Sequence, residues 1–340
     1  MAFPSNIRER LEQREHLILS PHAMFSDESR GRAREEAQCD IRPVFQRDRD
    51  RIIHSKAFRR LKDKTQVFLA PEGDHYRTRL THTLEVSQIA RTIAKTLLLN
   101  EDLTEAIALG HDLGHTPFGH AGERVLNRVC SEGFNHCLQS VRVVELLEKQ
   151  GRGLNLTWEV LDGMVNHQTK GMPMTLEGKV VRLCDKIAYI NHDIDDAIRG
   201  RILVEDEIPK EFTDVLGHSL KERLNTLIHD IVRCSEGQND IIMSDEVQRS
   251  MYQLRQYMFE HVYTNPDAKG EEHKAEGMVE YLFYHYMEHP ESLPEKYIHM
   301  MENKNQTKQR VVCDYIAGMT DRFAMAQFKE LTIPKFWDIY

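Results

Sequence analysis

From Leu80 onward the apolar positions Leu84, Val86, Ile89, Ile93 and Leu97 return at helical spacing, which predicts an amphipathic helix. A second helix is predicted over 102–113, with Leu103, Ile107 and Leu109 along its apolar side, and Gly114 and Pro117 break it. The same pattern resumes over 121–129, 137–148, 158–166 and 179–198, and after Pro209 four or five further helices run to about Phe336. Alternation of period two is scarce. Segments 65–69 and 75–77, separated by Ala-Pro-Glu-Gly-Asp, suit one short hairpin. The chain therefore reads as all-α with at most that hairpin. A polar join over 200–209 separates a catalytic region, 1–205, from a C-terminal helical region, 206–340, packed against it as one compact unit.

With 340 residues, 40% hydrophobic and 29% charged, the chain is neither disordered nor collagenous. Its net charge of −9 lacks the field of a general DNA coat protein, so any polyanion must be held by a local basic cluster or a metal. The six cysteines form no CxxC pair and read as reduced, mostly buried thiols. No basic-then-apolar leader opens the sequence, and no apolar run approaches the roughly 20 residues needed to cross a bilayer. These features predict a soluble, cytoplasmic protein. Histidine is the outlier, with 18 copies.

Several of those histidines crowd together. His82 falls at the start of one predicted helix, and the vicinal pair His111-Asp112 closes the next. Asp185 interrupts an apolar helical run. Adjacent side chains on a helix project about 100° apart, so a vicinal pair ordinarily serves two neighbours. At a loosened helix end both can reach one ion, and two imidazoles with two carboxylates form a mixed nitrogen–oxygen set for a divalent metal. Mg, Mn, Fe, Co, Ni and Zn all tolerate such a set. The loop that follows, with Gly114, Pro117, Gly119 and Gly122, brings His115 and His120 toward the same place, and Glu123 falls one turn on. A histidine backed by a carboxylate suits proton transfer. The plainer alternative is a glycine-rich connector with solvent-facing histidines. Upstream, Arg59, Arg60, Lys62, Lys64, Arg77 and Arg79 suggest a phosphate clamp or a solvated helix face; Arg79 shares a face with His82.

These residues belong to an ordered run of motifs: Arg51-Ile-Ile-His54-Ser-Lys-Ala-Phe-Arg-Arg-Leu, Lys64-Thr-Gln-Val-Phe, Gly73-Asp-His75-Tyr-Arg-Thr-Arg-Leu-Thr-His82 and His111-Asp112-Leu-Gly-His115-Thr-Pro-Phe-Gly-His120. Asn166-His167, Asp185-Lys-Ile-Ala-Tyr189 and Asp314-Tyr-Ile-Ala-Gly-Met-Thr-Asp321-Arg follow. The run resembles the HD-domain deoxynucleoside triphosphate triphosphohydrolases over roughly residues 20–325. The resemblance implies an α-helical HD fold and metal-dependent hydrolysis of a dNTP to deoxynucleoside and intact triphosphate. It assigns His82, His111, Asp112 and Asp185 as metal ligands, with one divalent ion per site. His115 and Glu123 match the catalytic pair, and His120 and His136 match positions that contact phosphate or assist the chemistry. Gln66 and Arg79 match groups near the sugar 3′-hydroxyl and the α-phosphate. Lys186, Tyr189 and Asp193 match residues that hold phosphates and deoxyribose. A homo-oligomer and a single-stranded nucleic-acid effector are further implications.

Two rival readings stand beside this one. One is another HD phosphohydrolase, acting on a cyclic nucleotide, guanosine tetraphosphate or a nucleoside monophosphate; the GYP signature of cyclic-dinucleotide enzymes is absent. The other is a nucleotide or single-stranded DNA sensor without turnover, against which the intact ligand set argues. The C-terminal half is rich in aromatics (Tyr252, Tyr257, Phe259, Tyr263, Tyr281, Phe283, Tyr284 and Tyr286), which read as core or as a subunit interface.

Overall fold

The computed structural model describes residues 6–66, 77–265, 270–303 and 306–335. Among these, sixteen α-helices follow one another: α1 Ile7–Ile18, α2 Val44–Ile53, α3 Lys56–Arg60, α4 Arg79–Thr96, α5 Glu101–Gly110, α6 Gly119–Val129, α7 His136–Arg142, α8 Trp158–Val165 and α9 Leu176–Arg199. The C-terminal part supplies α10 Lys210–Leu216, α11 Leu220–Ser235, α12 Asp245–Met258, α13 Glu272–Glu288, α14 Glu295–Asn303, α15 Lys308–Ala317 and α16 Asp321–Thr332. The protein is all-α, and no strand occurs among the described residues. Of the expected hairpin, residues 67–76 lie outside them, and what is seen is a single antiparallel bridge between Thr65 and Thr78.

The helix ends follow local chemistry. Thr78 caps α4 in a reciprocal arrangement with Thr81, and Asn100 caps α5 by accepting from the Leu103 amide at 3.2 Å. Caps of this kind are each worth about 1 kcal/mol. The second helix stops at Gly110, one residue before the His-Asp pair rather than after it. Leu84, expected on the apolar face of α4, is half exposed; Val86, Ile89 and Ile93 form the buried stripe. Seven helices, not four or five, follow Pro209 among the described residues. Short polar connections there conceal ends that periodicity alone runs together.

Helix α5 is apolar on nearly every side, the mark of a central helix. It packs against α2, α4, α8 and α9. The interior forms two clusters that cut across the expected division at 205/206. The larger joins α2, α4, α5, α8 and α9 to α10, α11 and α12. The smaller joins α6 to α13–α16. Helix α6, carrying Glu123, thus rests on the C-terminal helices. Asp314, wholly buried on α15, ties that layer to α7 by accepting from Gln139 Nε2 at 2.9 Å and Arg142 Nη2 at 2.6 Å. Of the C-terminal aromatics, Phe283 and Tyr286 are core, whereas Tyr252, Phe259, Tyr281 and Tyr284 remain exposed. All six cysteines are free, four of them buried.

Candidate active site

Three helices place the four expected ligands together. His82 lies in the first turn of α4, His111 and Asp112 follow the last turn of α5, and Asp185 comes from the middle of α9. His82 Nε2 is 3.1 Å from Asp185 Oδ1. His111 Nε2 is 3.5 Å from Asp112 Oδ1 and 3.7 Å from Asp185 Oδ1. His111 Nδ1 lies 2.7 Å from the Ala108 carbonyl. A carbonyl only accepts, so the ring proton sits on Nδ1 and Nε2 keeps its lone pair. That Nε2 and His82 Nδ1 are buried without a hydrogen-bond partner. Buried polar atoms are rarely left so.

Charge in this pocket is balanced internally. Burial opposes ionisation of Asp112, yet the facing His111, His115 and Arg79 hold its carboxyl well below the usual range. Burial likewise opposes Asp185, but the His82 hydrogen bond and His111 bring it to about 2. Both carboxylates are therefore anionic at neutral pH. Two anionic carboxylates and orphaned imidazole nitrogens suit a divalent cation, so the residues present fit the metal that the HD pattern implies. Arg79, itself buried, donates from Nη1 to Asp112 Oδ2 at 2.7 Å and turns the other oxygen inward.

A second cluster sits beside the first. The loop 111–119 closes over it with two glycines under constraint. A side chain at Gly114 would meet the Ser140 amide at 2.2 Å, and Gly119 adopts φ +57°. His115 Nε2 lies 3.5 Å from Asp112 Oδ1, and its ring stacks on His136 at 3.9 Å. Burial, then the Arg79 and His136 charges, hold His115 well below its usual pKa. Sequence reading paired His115 with Glu123; the contacts of Glu123 are instead with His136 Nδ1 at 2.9 Å and His120 Nδ1 at 3.2 Å. The reason is that His136 opens α7 and turns its backbone amide to the same carboxylate. Against the penalty of burial, these bonds lower the Glu123 pKa. His120 is two-thirds exposed, at the pocket mouth.

The C-terminal layer reaches this loop directly. Lys64, fully buried, donates to the His115 and Ala317 carbonyls. Asp321 accepts from the Phe118 amide at 2.9 Å and the Thr65 amide at 2.9 Å. The upstream basic group is therefore mostly committed to structure. Lys64 holds carbonyls, Arg77 pairs with Glu85, Asp195 and Asp196, and Arg79 holds Asp112, while Arg59 is exposed beyond the pocket.

Cations gather elsewhere. A cleft of about 470 Å³ between α9 and α12 is lined by Arg182, Lys186, Gln248, Arg249, Tyr252 and Arg255, with Asp245 at its edge. Burial, then Arg182, lower the Lys186 pKa to about 8. Tyr189 and Asp193 continue along α9 at four-residue steps from Asp185. Asp193 accepts a hydrogen bond from Tyr263, and burial raises its pKa to about 7. Gln66 meets Arg79 through its carbonyl at 3.3 Å, leaving its side-chain oxygen buried and unpartnered.

Local pattern does not single out Arg182, Arg249 and Arg255, which meet in one cleft only because α12 packs on α9. Tyr263, an aromatic of the C-terminal half, gives no sign in the sequence of its hydrogen bond to Asp193. His167 belongs to the Asn166-His167 motif, to which the sequence attaches no role. His167 packs its ring edge-on to His111, centroids 4.9 Å apart. The only signal available was the order of motifs.

The fold and the His/His-Asp/Asp set define an HD-domain phosphohydrolase: the HD domain matches residues 79–190 and a phosphohydrolase-associated domain matches residues 241–330. A phosphohydrolase of Bacteroides thetaiotaomicron shares the fold at 15% identity, with a TM-score of 0.52 over 84% of this chain and 68% of that one. Within that class, the chain belongs to the deoxyguanosinetriphosphate triphosphohydrolase-like proteins. It is 58% identical to the protein so named from Caldanaerobacter subterraneus subsp. tengcongensis, covering 97% of each chain. It is 50% identical to those of Desulfatibacillum aliphaticivorans, over 96% of this chain and 98% of that one, and Clostridium perfringens, over 97% and 98%. No described helix is long and apolar enough to cross a membrane.

Proposed function

We propose that this protein hydrolyses a deoxynucleoside triphosphate to the deoxynucleoside and inorganic triphosphate, by water attack at the α-phosphate. The observation that carries the reading is a buried set of two anionic carboxylates with an orphaned His111 Nε2, in which Asp185 directly precedes Lys186 of the basic cleft and Asp112 lies 3.5 Å from His115 of the carboxylate-linked histidine cluster. His82, His111, Asp112 and Asp185 would hold one divalent ion (Mg, Mn, Fe, Co, Ni or Zn). Bound there, it would supply Lewis-acid stabilisation of charge on an α-phosphate oxygen.

The rest is work for side chains. The departing 5′-oxygen is strongly basic and requires a proton, a task worth roughly 10²–10⁴ in rate. His120 holds Glu123 through Nδ1, which leaves its Nε2 available for that transfer. His136, also on Glu123 through Nδ1, has its Nε2 engaged 3.2 Å from Gln168 Nε2 and assists by positioning the carboxylate. His115, kept neutral by burial, stands between them and Asp112 and offers a lone pair toward the attacking water. Arg79 fixes Asp112 and faces the α-phosphate. Lys186 with Arg255 receives the tail that leaves in one piece. Tyr189 packs against C2′ and excludes a ribose hydroxyl, while Gln66 and Asp193 turn toward the 3′-hydroxyl. The exposed Tyr281 and Tyr284 support a homo-oligomer, and a single-stranded nucleic-acid effector and cytoplasmic residence complete the reading.

The test is product identity. Purified protein is incubated with each dNTP and with GTP, adding Mg or Mn, and products are separated by anion exchange. Triphosphate with free deoxynucleoside is expected, from dNTP in preference to GTP. Pyrophosphate or orthophosphate as the first product overturns the bond assignment, and tight nucleotide binding with no product moves the protein to the sensor reading.

A further inference from the structure

His167 is a buried imidazole that the reaction above leaves unused. Its Nδ1 lies 2.6 Å from the Met164 carbonyl, three residues back at the end of α8. His111 makes the same bond to Ala108, three residues back at the end of α5. In both rings the carbonyl takes the Nδ1 proton and leaves Nε2 as a lone-pair donor. The chain thus builds one device twice, and the two rings meet edge to face at 76°.

What His167 Nε2 faces is informative. Its hydrogen-bond neighbour is Cys137 Sγ at 3.7 Å, and a buried thiol is a weak donor for so strong an acceptor. Donor atoms of His111, His167 and Asp185 all lie within 4.8 Å of one another, as do those of His82, His111 and Asp112. The two triads share His111, and the 3.1 Å contact of Asp185 with His82 closes them into one group. We infer that His167 Nε2 is a third imidazole donor to the divalent ion, joining His82 and His111 on the Asp185 side. This rests on the metal centre of the reading above and extends it to metal choice. Three imidazoles and two carboxylates favour Mn, Fe, Co, Ni or Zn over Mg, which prefers oxygen ligands and retained water. His167 here holds the metal; no proton transfer is asked of it.

The experiment loads the full-length wild type, His167→Phe and Cys137→Ala with Mn(II). Affinity is measured by chelator competition, and coordinated imidazole nitrogens are counted by pulsed electron paramagnetic resonance. Phenylalanine keeps the ring packing and removes the donor, whereas Cys137→Ala disturbs the same spot and keeps it. Expected are three imidazoles in the wild type and two in His167→Phe, with Mn(II) bound at least about tenfold more weakly by that variant. Cys137→Ala should bind within about twofold of wild type, and Mg affinity should move less than Mn affinity in His167→Phe. Equal Mn(II) affinity in wild type and His167→Phe overturns the assignment. Should His167→Phe not fold, the wild type decides: two coordinated imidazoles overturn it, and three that persist in His115→Ala uphold it. A wild type that takes up no metal overturns both this inference and the metal centre beneath it.

Discussion

Two histidine clusters lie side by side in this protein and are built for different work. The inner one, His82, His111, Asp112 and Asp185, has a carboxylate for every imidazole, is largely sealed from water, and leaves His111 Nε2 without a partner. The outer one, His115, His120 and His136 around Glu123, has three imidazoles to one carboxylate, and His120 opens to solvent. In the inner cluster, two anionic carboxylates and imidazole nitrogens without a partner suit a cation. In the outer, the carboxylate is already occupied by two rings, so the free nitrogens are suited to moving protons. Residue types alone do not separate the two, because both are rich in histidine. What separates them is the ratio of carboxylate to imidazole and the exposure.

Substitutions in the two clusters should therefore fail differently. The largest effect is expected from Asp185→Ala, which removes an inner carboxylate: metal affinity should fall by about 100-fold or more, read by elemental analysis after gel filtration. Full metal retention would remove Asp185 from the ligand set. His115→Ala should keep the metal and lose turnover by at least about 100-fold. Near-normal rates in that metal-loaded variant would return the outer cluster to a structural role.

Glu123→Gln should lower kcat by roughly tenfold, at the weak end of acid–base contributions, with metal content unchanged. It also carries a stability signature. The Glu123 pKa is lower in the folded chain than its ordinary 4.5, so its contribution is complete above pH 4.5 and fades as pH falls through the folded value. Chemical denaturation of Glu123→Gln should therefore show a smaller loss of stability below pH 4.5 than wild type. A parallel loss in both proteins would contradict the hydrogen bonds seen here.

Lys186, with a pKa of about 8, should impose a basic limb on kcat/KM, because it is charged below that pH and neutral above it. Lys186→Arg should move the limb upward, and an unmoved limb would assign it to another group. The smallest effect belongs to Arg249→Ala in the open part of the cleft. A solvated ion pair is worth at most about 1 kcal/mol, so KM should rise by no more than about fivefold with kcat unchanged. A larger fall in kcat would place Arg249 at the reacting atoms.

Much of this was legible in the chain. Helices α4, α5, α6, α8 and α9 announced themselves through three- and four-residue periodicity, which is a property of nearby residues. The four inner residues stood out as a type and spacing pattern, and the structure gathers them. Glu123 stands out in the sequence as a carboxylate behind a histidine, but that its hydrogen-bonded rings are His136 and His120 rather than His115 depends on where α7 begins relative to α6. The upstream arginines and lysines suggest a phosphate clamp, yet Arg77 is taken up by Glu85, Asp195 and Asp196 and Lys64 by the His115 and Ala317 carbonyls, the latter 253 residues away.

By itself, then, the sequence determined the helical class and the chemistry on offer, because propensity, capping and amphipathic spacing act over a few residues. Tertiary structure decided which groups are satisfied and which are left with a lone pair or a free charge. His111 and His167 carry the same local bond to a carbonyl three residues back, and only the packing of α5 against α8 brings their open nitrogens to one place. Likewise, only the crossing of α12 over α9 makes a basic cleft from residues that are each ordinary in the chain. Distances of that kind are set by helix packing between segments far apart in sequence, and local pattern holds no record of them.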